Sequence, residues 1–114
     1  MVQDSTLEGN MGTAIAPDNY TLRRVNISGV ENGADISLPD DVTVATPVNV
    51  TIEDSYIHAL SNNASSHSDG IQVGKGAANI FIRHNYVRVQ DSGTPNSNAA
   101  IILWTKADPQ NTNV

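Results

Sequence analysis

Apolar residues recur along this chain in a fixed strand-like pattern. Pairs five positions apart occur four times: Val2 and Leu7, Leu22 and Ile27, Ile52 and Ile57, Ile82 and Val87. Successive copies start 20, 30 and 30 residues apart. In the last three copies another apolar side chain stands two positions earlier, at Tyr20, Val50 and Ile80, and Asn19, Asn49 and Asn79 precede these. Asn113-Val114 begins a fifth copy. Repeats of this period mark stacked architectures. The β-branched and polar residues inside them favour strands over helices.

A second family of segments alternates with the first: Gly12 to Ile15, Gly33 to Ile36, Gly70 to Val73 and Ala100 to Leu103. Side chains alternate across a strand. Ile15, Ile36, Val73 and Leu103 then point inward, with Thr13, Ala34, Ile71 and Ile101. Ala14, Asp35, Gln72 and Ile102 point outward. A third short strand fits Val42 to Val44, and the five prolines fall between strand segments. The pattern predicts an all-β chain, a right-handed parallel β-helix (solenoid) of about four to five rungs. Residues 1–114 read as one domain. With no capping helix and strand pattern at both ends, they read as a segment of a longer solenoid, or one whose ends meet partner chains in end-to-end or homo-oligomeric contact.

Stacking also explains the charges. Just after the first apolar residue the copies read Gln3, Arg23, Glu53, Arg83, and one place further Asp4, Arg24, Asp54, His84. Both columns tend to alternate in sign, which predicts ladders of exposed pairs, Arg24 with Asp54 and Arg83 with Glu53. The next column, Ser5, Val25, Ser55 and Asn85, sits at a corner. Its polar members are expected to bond backbone of the next coil.

Composition narrows the partners. Aromatics are 4% of the chain, so the core must be aliphatic. A net charge of −6 argues against nucleic acid or an anionic membrane as partner. It also disfavours capture of a polyanion unless a local basic patch intervenes. No cysteine is present, which excludes disulfides and thiolate zinc sites. No apolar run spans a bilayer, and no signal sequence stands in these residues.

Asn79 to Val87 (NIFIRHNYV) and Asn49 to Ile57 (NVTIEDSYI) resemble the rung signature of the pectate-lyase-like superfamily of right-handed parallel β-helix proteins. That family includes polysaccharide lyases, polygalacturonases, epimerases and phage tailspikes. The resemblance implies an extracellular scaffold, secreted or on a virion, whose outer groove holds a polysaccharide. Fold alone assigns no reaction.

The candidate chemistry lies from His58 to Gly70, a polar loop that delivers His67 and Asp69 to a strand. His67-Ser68-Asp69-Gly70-Ile71 resembles the Asn-Thr-Asp-Gly-Ile segment of polygalacturonases, and by that match Asp69 is the catalytic carboxylate. The rest of that family's pattern is absent, and hydrolysis needs two carboxylates. Asp35, one coil away, is the candidate partner. A lyase would need a base, for which Lys75 on the same strand is available, and a means of neutralising a uronate. Asp35, Asp69 and Gln72 offer oxygens to Ca²⁺, though two carboxylates make a poor site. No other cofactor is expected. The catalytic candidates are therefore Asp69, His67 and Lys75, and the substrate-binding candidates Asp35, Gln72, Trp104 and His58. The alternative is that Asp69 and His67 bond loop backbone and shape the turn. Trp104 either stacks on a sugar or packs beneath a neighbour. Three readings follow: a β-helix that binds or processes polysaccharide, as a lyase or glycoside hydrolase if an enzyme; a structural segment of a virion tail or surface protein; and a repeat domain without ligand.

Overall fold

The computed structural model describes residues 1–9, 12–15, 18–38, 46–60, 67–74, 76–89 and 97–104, with the side chains of all of these except Ser97 and Trp104. Among them run nine strands: β1 (Val2–Glu8), β2 (Thr21–Ser28), β3 (Ala34–Ser37), β4 (Thr46–Glu53), β5 (Tyr56–His58), β6 (Ser68–Gly74), β7 (Ala77–Arg83), β8 (Tyr86–Arg88) and β9 (Ser97–Trp104). All of their pairings are parallel. Six strands form one sheet in which β1 pairs with β2, β2 with both β4 and β5, β4 with β7, and β5 with β8. The smaller sheet has the order β3-β6-β9.

The apolar pairs lie in register. Val2 stands opposite Leu22, Leu22 opposite Ile52, and Ile52 opposite Ile82. Leu7, Ile27, Ile57 and Val87 form the second row. In the smaller sheet Ala34, Ile71 and Ile101 make one row and Ile36, Val73 and Leu103 another. The rows meet in one core, where Leu22, Ile27, Ile36, Ile52, Ile57, Ile71 and Val73 are wholly buried. Burial of each such side chain contributes about 1.5–3 kcal/mol. Gly70 sets how closely the sheets approach. A Cβ there would strike the Val87 side chain and the Ala100 carbonyl.

The larger sheet bends at a column of left-handed residues: Asp4, Arg24, Asp54 and His84, with φ of 50°, 51°, 52° and 53°. The last two separate β4 from β5 and β7 from β8. At a bend the backbone leaves its regular ladder, so side chains must supply bonds. Buried Ser55 does so. Its Oγ accepts from Val25 N at 3.1 Å and donates to Glu53 O at 2.9 Å. Asn85 Oδ1 accepts from Ser55 N at 2.9 Å, and Asn85 Nδ2 donates to Ile52 O at 2.8 Å.

The expected right-handed parallel β-helix (solenoid) of about four to five rungs is corrected by this topology. The chain forms a curled half-barrel of six parallel strands and a small second sheet of three, rather than a stack of equivalent coils. A solenoid needs each coil to give a strand to every face. Among its described residues, the first interval meets the second-sheet region through one isolated bridge, Thr13 to Asn32, and a bond from Asp35 N to Ile15 O at 3.2 Å, rather than through a strand. The left-handed corners meanwhile split two layers of the first sheet and curl it. Pro47 also departs from expectation, since it lies inside β4, next to a register shift before Val50. The predicted strand at Val42 to Val44, the body of the loop after Leu60 and the copy at Asn113 lie outside the described residues.

Candidate functional site

Asp69 stands where β6 changes register against β9, between Ser68 and Asp69. It is 5% exposed. Its Oδ1 accepts from Ala99 N at 3.1 Å, its N–H donates to Asn32 Oδ1 at 3.1 Å, and its carbonyl accepts from Gly33 N at 3.1 Å. The residue thus ties β6 to the layers on both sides. A charge-assisted bond to a backbone N–H is among the stronger hydrogen bonds in a protein. This is a backbone-shaping role for one carboxylate oxygen, Oδ1.

Of the other predicted residues, His67, Asp35, Gln72 and His58 are described. His67 is exposed, one residue before β6. Asp35 and Gln72 are half-buried and face each other in register, and Asp35 accepts from Ser37 Oγ at 2.6 Å. Lys75 lies outside the described residues, as does the Trp104 side chain, although the Trp104 backbone pairs with Gly74. His58 belongs to the other sheet. Its Nε2 is 2.8 Å from Asn26 Oδ1, and its ring stacks on Tyr56 at 3.9 Å and 10°. Ca²⁺ takes about six to eight oxygen ligands. Among the described residues no three His, Asp or Glu side chains converge.

Tyr20 is the one described buried side chain whose polar atom lacks a partner. Burial, and after it the Asp35 charge, pushes its phenol well above the ordinary range, so it remains protonated.

The outer face of the six-stranded sheet is different. Asn19, Asn49 and Asn79 all take left-handed backbone, with φ of 56°, 49° and 59°. Asn tolerates this region because its short amide bonds locally. Here the amides bond one another: Asn49 Nδ2 donates to Asn19 Oδ1 at 3.1 Å and Asn79 Nδ2 to Asn49 Oδ1 at 3.3 Å. Beside this ladder Thr51 pairs in register with Phe81. Asn49, Thr51, Asn79 and Phe81 line a groove of about 350 Å³. Phe81 is 59% exposed, although its strand neighbours Ile80 and Ile82 face the core. Across the bend, Tyr86 is 63% exposed and lies 5.3 Å from Tyr56.

All four arginines also lie on this sheet and are exposed: Arg23, Arg24, Arg83 and Arg88. Glu53 holds Arg83 at 2.6 Å and Arg23 at 3.4 Å. Arg23 also reaches Asp54 at 4.0 Å, and His84 lies 3.7 Å from Asp54. Arg24 bonds Asp4, with NH2 donating to Oδ2 at 2.8 Å, where Asp54 was expected. That bond, with a smaller one from Gln3, holds the Asp4 carboxyl down to about 2.

No family model, curated protein or solved structure matches the chain. The comparisons therefore give no support to the resemblance to the pectate-lyase-like superfamily. The rings at Tyr56, Phe81 and Tyr86 were passed over in the sequence. Strand parity was the available signal, since each adjoins an inward member of the apolar rows: Ile57, Ile82 and Val87.

Proposed function

We propose that this chain is a binding scaffold for an extended polysaccharide, held along the groove between β4 and β7. The observation that carries the reading is the groove itself, an exposed Phe81 ring flanked by amides and a hydroxyl. A sugar presents an apolar C–H face and a rim of hydroxyls. A ring matches the first, and Asn49, Asn79 and Thr51 match the second. An amide has two N–H donors and two acceptor lone pairs, so the ladder bonds do not exhaust it. The Asn column runs across the strands from layer to layer, about 4.7–4.9 Å apart. An extended polymer can follow such a column. Arg83, which Glu53 pairs, and Arg88 lie on the same layer as Phe81 and add guanidinium donors beside the groove.

The reading assigns binding and no bond cleavage, because Asp69 bonds backbone and no second carboxylate faces it in register. Titration with neutral and uronate oligosaccharides, followed by amide shifts, tests it. Shifts at Asn49, Thr51, Asn79 and Phe81 are expected. Turnover of any oligosaccharide that is lost in Asp69→Asn would contradict it, as would binding unchanged in Phe81→Ala.

A further inference from the structure

Two dipeptides prone to ring closure stand side by side in adjacent layers of the smaller sheet. Asn32-Gly33 is the one Asn-Gly pair in the sequence, and Asp69-Gly70 the one Asp-Gly pair. Continued back from Ala34 opposite Ile71, the register sets Gly33 against Gly70 and Asn32 against Asp69. Neither glycine can gain a side chain where it stands. A Cβ on Gly33 would strike the Gly70 carbonyl and the Ile57 side chain, and one on Gly70 the Ala100 carbonyl and Val87. Close approach of the layers therefore keeps glycine after Asn32. Glycine, lacking a Cβ, is also the residue that least hinders attack of its own nitrogen on the preceding side-chain amide.

The fold holds that attack off. Asn32 Oδ1 accepts from Asp69 N at 3.1 Å, and Gly33 N donates to Asp69 O at 3.1 Å. Asn32 N donates to Gly12 O at 2.7 Å, and the Asn32 carbonyl accepts from Ala14 N at 3.1 Å. One residue, Asp69, thus holds both the side-chain carbonyl and the attacking nitrogen, and the layer on the other side fixes the backbone between them. Ring closure needs the Gly33 nitrogen stripped of its proton and turned onto Asn32 Cγ. These bonds must break first.

We infer that Asn32 is a deamidation site controlled by the opening of β3 from β6. With the Asp69 bonds released, Gly33 N bonds to Asn32 Cγ, the Gly33 amide proton passes to the leaving amide nitrogen, and ammonia departs. Water then opens the succinimide ring. Breaking the bond from Gly33 N to Cγ leaves an aspartyl residue. Breaking the bond from Gly33 N to the Asn32 backbone carbonyl carbon leaves an isoaspartyl residue, whose chain runs through Cγ. The added backbone carbon displaces Gly33 N–H from Asp69 O and disrupts the ladder much as the extra residue of a bulge does. Loss of ammonia makes the change one-way, so it records the openings of each chain. The inference is independent of the polysaccharide reading, which uses the six-stranded face.

Incubation of the full chain in alkaline buffer, with and without an unfolding concentration of urea, tests it. Proteolysis and mass spectrometry read the conversion of Asn32. Asn26 and Asn49 precede the β-branched Ile27 and Val50, which hinder ring closure, and serve as slow references in both states. Asn32 should convert at least about tenfold more slowly in the folded chain, since the reaction then waits on local opening. At urea concentrations below the unfolding transition its rate should rise in step with hydrogen exchange of the Gly33 amide. Ile36→Ala, which removes a wholly buried side chain from β3, should speed conversion in buffer by at least about tenfold. Circular dichroism like that of the unaltered protein shows that this variant remains folded, and the urea series needs no variant. Conversion as fast in the folded chain as in urea overturns the inference. So does a rate that stays flat while Gly33 exchange rises.

Discussion

Around the three-stranded sheet, several polar side chains are held by bonds within the structure. Asp69 holds Ala99 N–H, Asn32 holds Asp69 N–H, and Asp35 takes the Ser37 hydroxyl. On the six-stranded sheet, side chains at comparable outward positions face solvent. Phe81 and Tyr86 leave more than half of their surface open, and the four arginines lie there too. The faces share strand direction and layer spacing, and both use polar side chains to join layers, yet among the described side chains the six-stranded face also leaves aromatic rings in water. A carboxylate in a suggestive motif is therefore weaker evidence of a site than an apolar ring left in water. The carboxylate can improve stability by bonding backbone. An exposed ring gains nothing from its exposure.

The sharpest break in the comparison concerns stability. Asp69→Ala should cost about 1–3 kcal/mol in urea unfolding, because Ala99 N–H loses a charged acceptor in a part-buried place. Asp69→Asn keeps an acceptor oxygen and should recover part of that loss. Phe81→Ala should stay within about 0.5 kcal/mol of the unaltered protein. Equal costs for Asp69→Ala and Phe81→Ala would erase the distinction between the faces.

Binding should show the reverse order. Phe81→Ala is expected to weaken oligosaccharide affinity by about tenfold, the scale of one lost ring contact. Asp69→Asn should leave affinity unchanged. Calorimetric titration distinguishes the two.

Tyr20 provides a smaller test inside the core. Its hydroxyl is buried without a partner. Tyr20→Phe removes the desolvation cost and should leave stability unchanged or raise it by up to about 1 kcal/mol. A loss of more than that would mean that the hydroxyl makes a bond in solution.

The smallest effect is on the surface ladder. Asp4 is held at about 2, against an ordinary 3.8, chiefly by the bond from Arg24. A depressed carboxyl stabilises fully above its unfolded value and loses that contribution as pH falls from about 4 towards 2. Arg24→Ala should return the Asp4 carboxyl towards its ordinary range in a nuclear magnetic resonance titration. Because the pair is exposed, thermal stability at neutral pH should not change measurably.

Much of this arrangement was legible in the sequence. Apolar pairs 20 and 30 residues apart place Val2, Leu22, Ile52 and Ile82 in one row, because parallel strands need a long crossover between repeats. The charge columns followed from the same register, as did the backbone-bonding Ser55. Spacing does not say how many strands each layer contributes. Hence, among the described residues, Thr13 makes an isolated bridge where a strand was expected, and the fold is a curled sheet with a small companion. Nor does a motif say where its carboxylate points. The segment around Asp69 reads as chemistry, but the register shift at Ser68 turns the side chain onto Ala99. Arg24 was assigned to Asp54 and bonds Asp4, because its column offers a carboxylate on either side.

The central claim is that ligand contact belongs to the six-stranded face. Residue-resolved amide shifts during oligosaccharide titration test it most directly. The account predicts that shifts concentrate at Asn49, Thr51, Asn79 and Phe81, with Ile71 to Val73 and Ala99 to Leu103 unmoved. Shifts confined to Asp69, Gln72 and their β9 neighbours, with Phe81 silent, would contradict it.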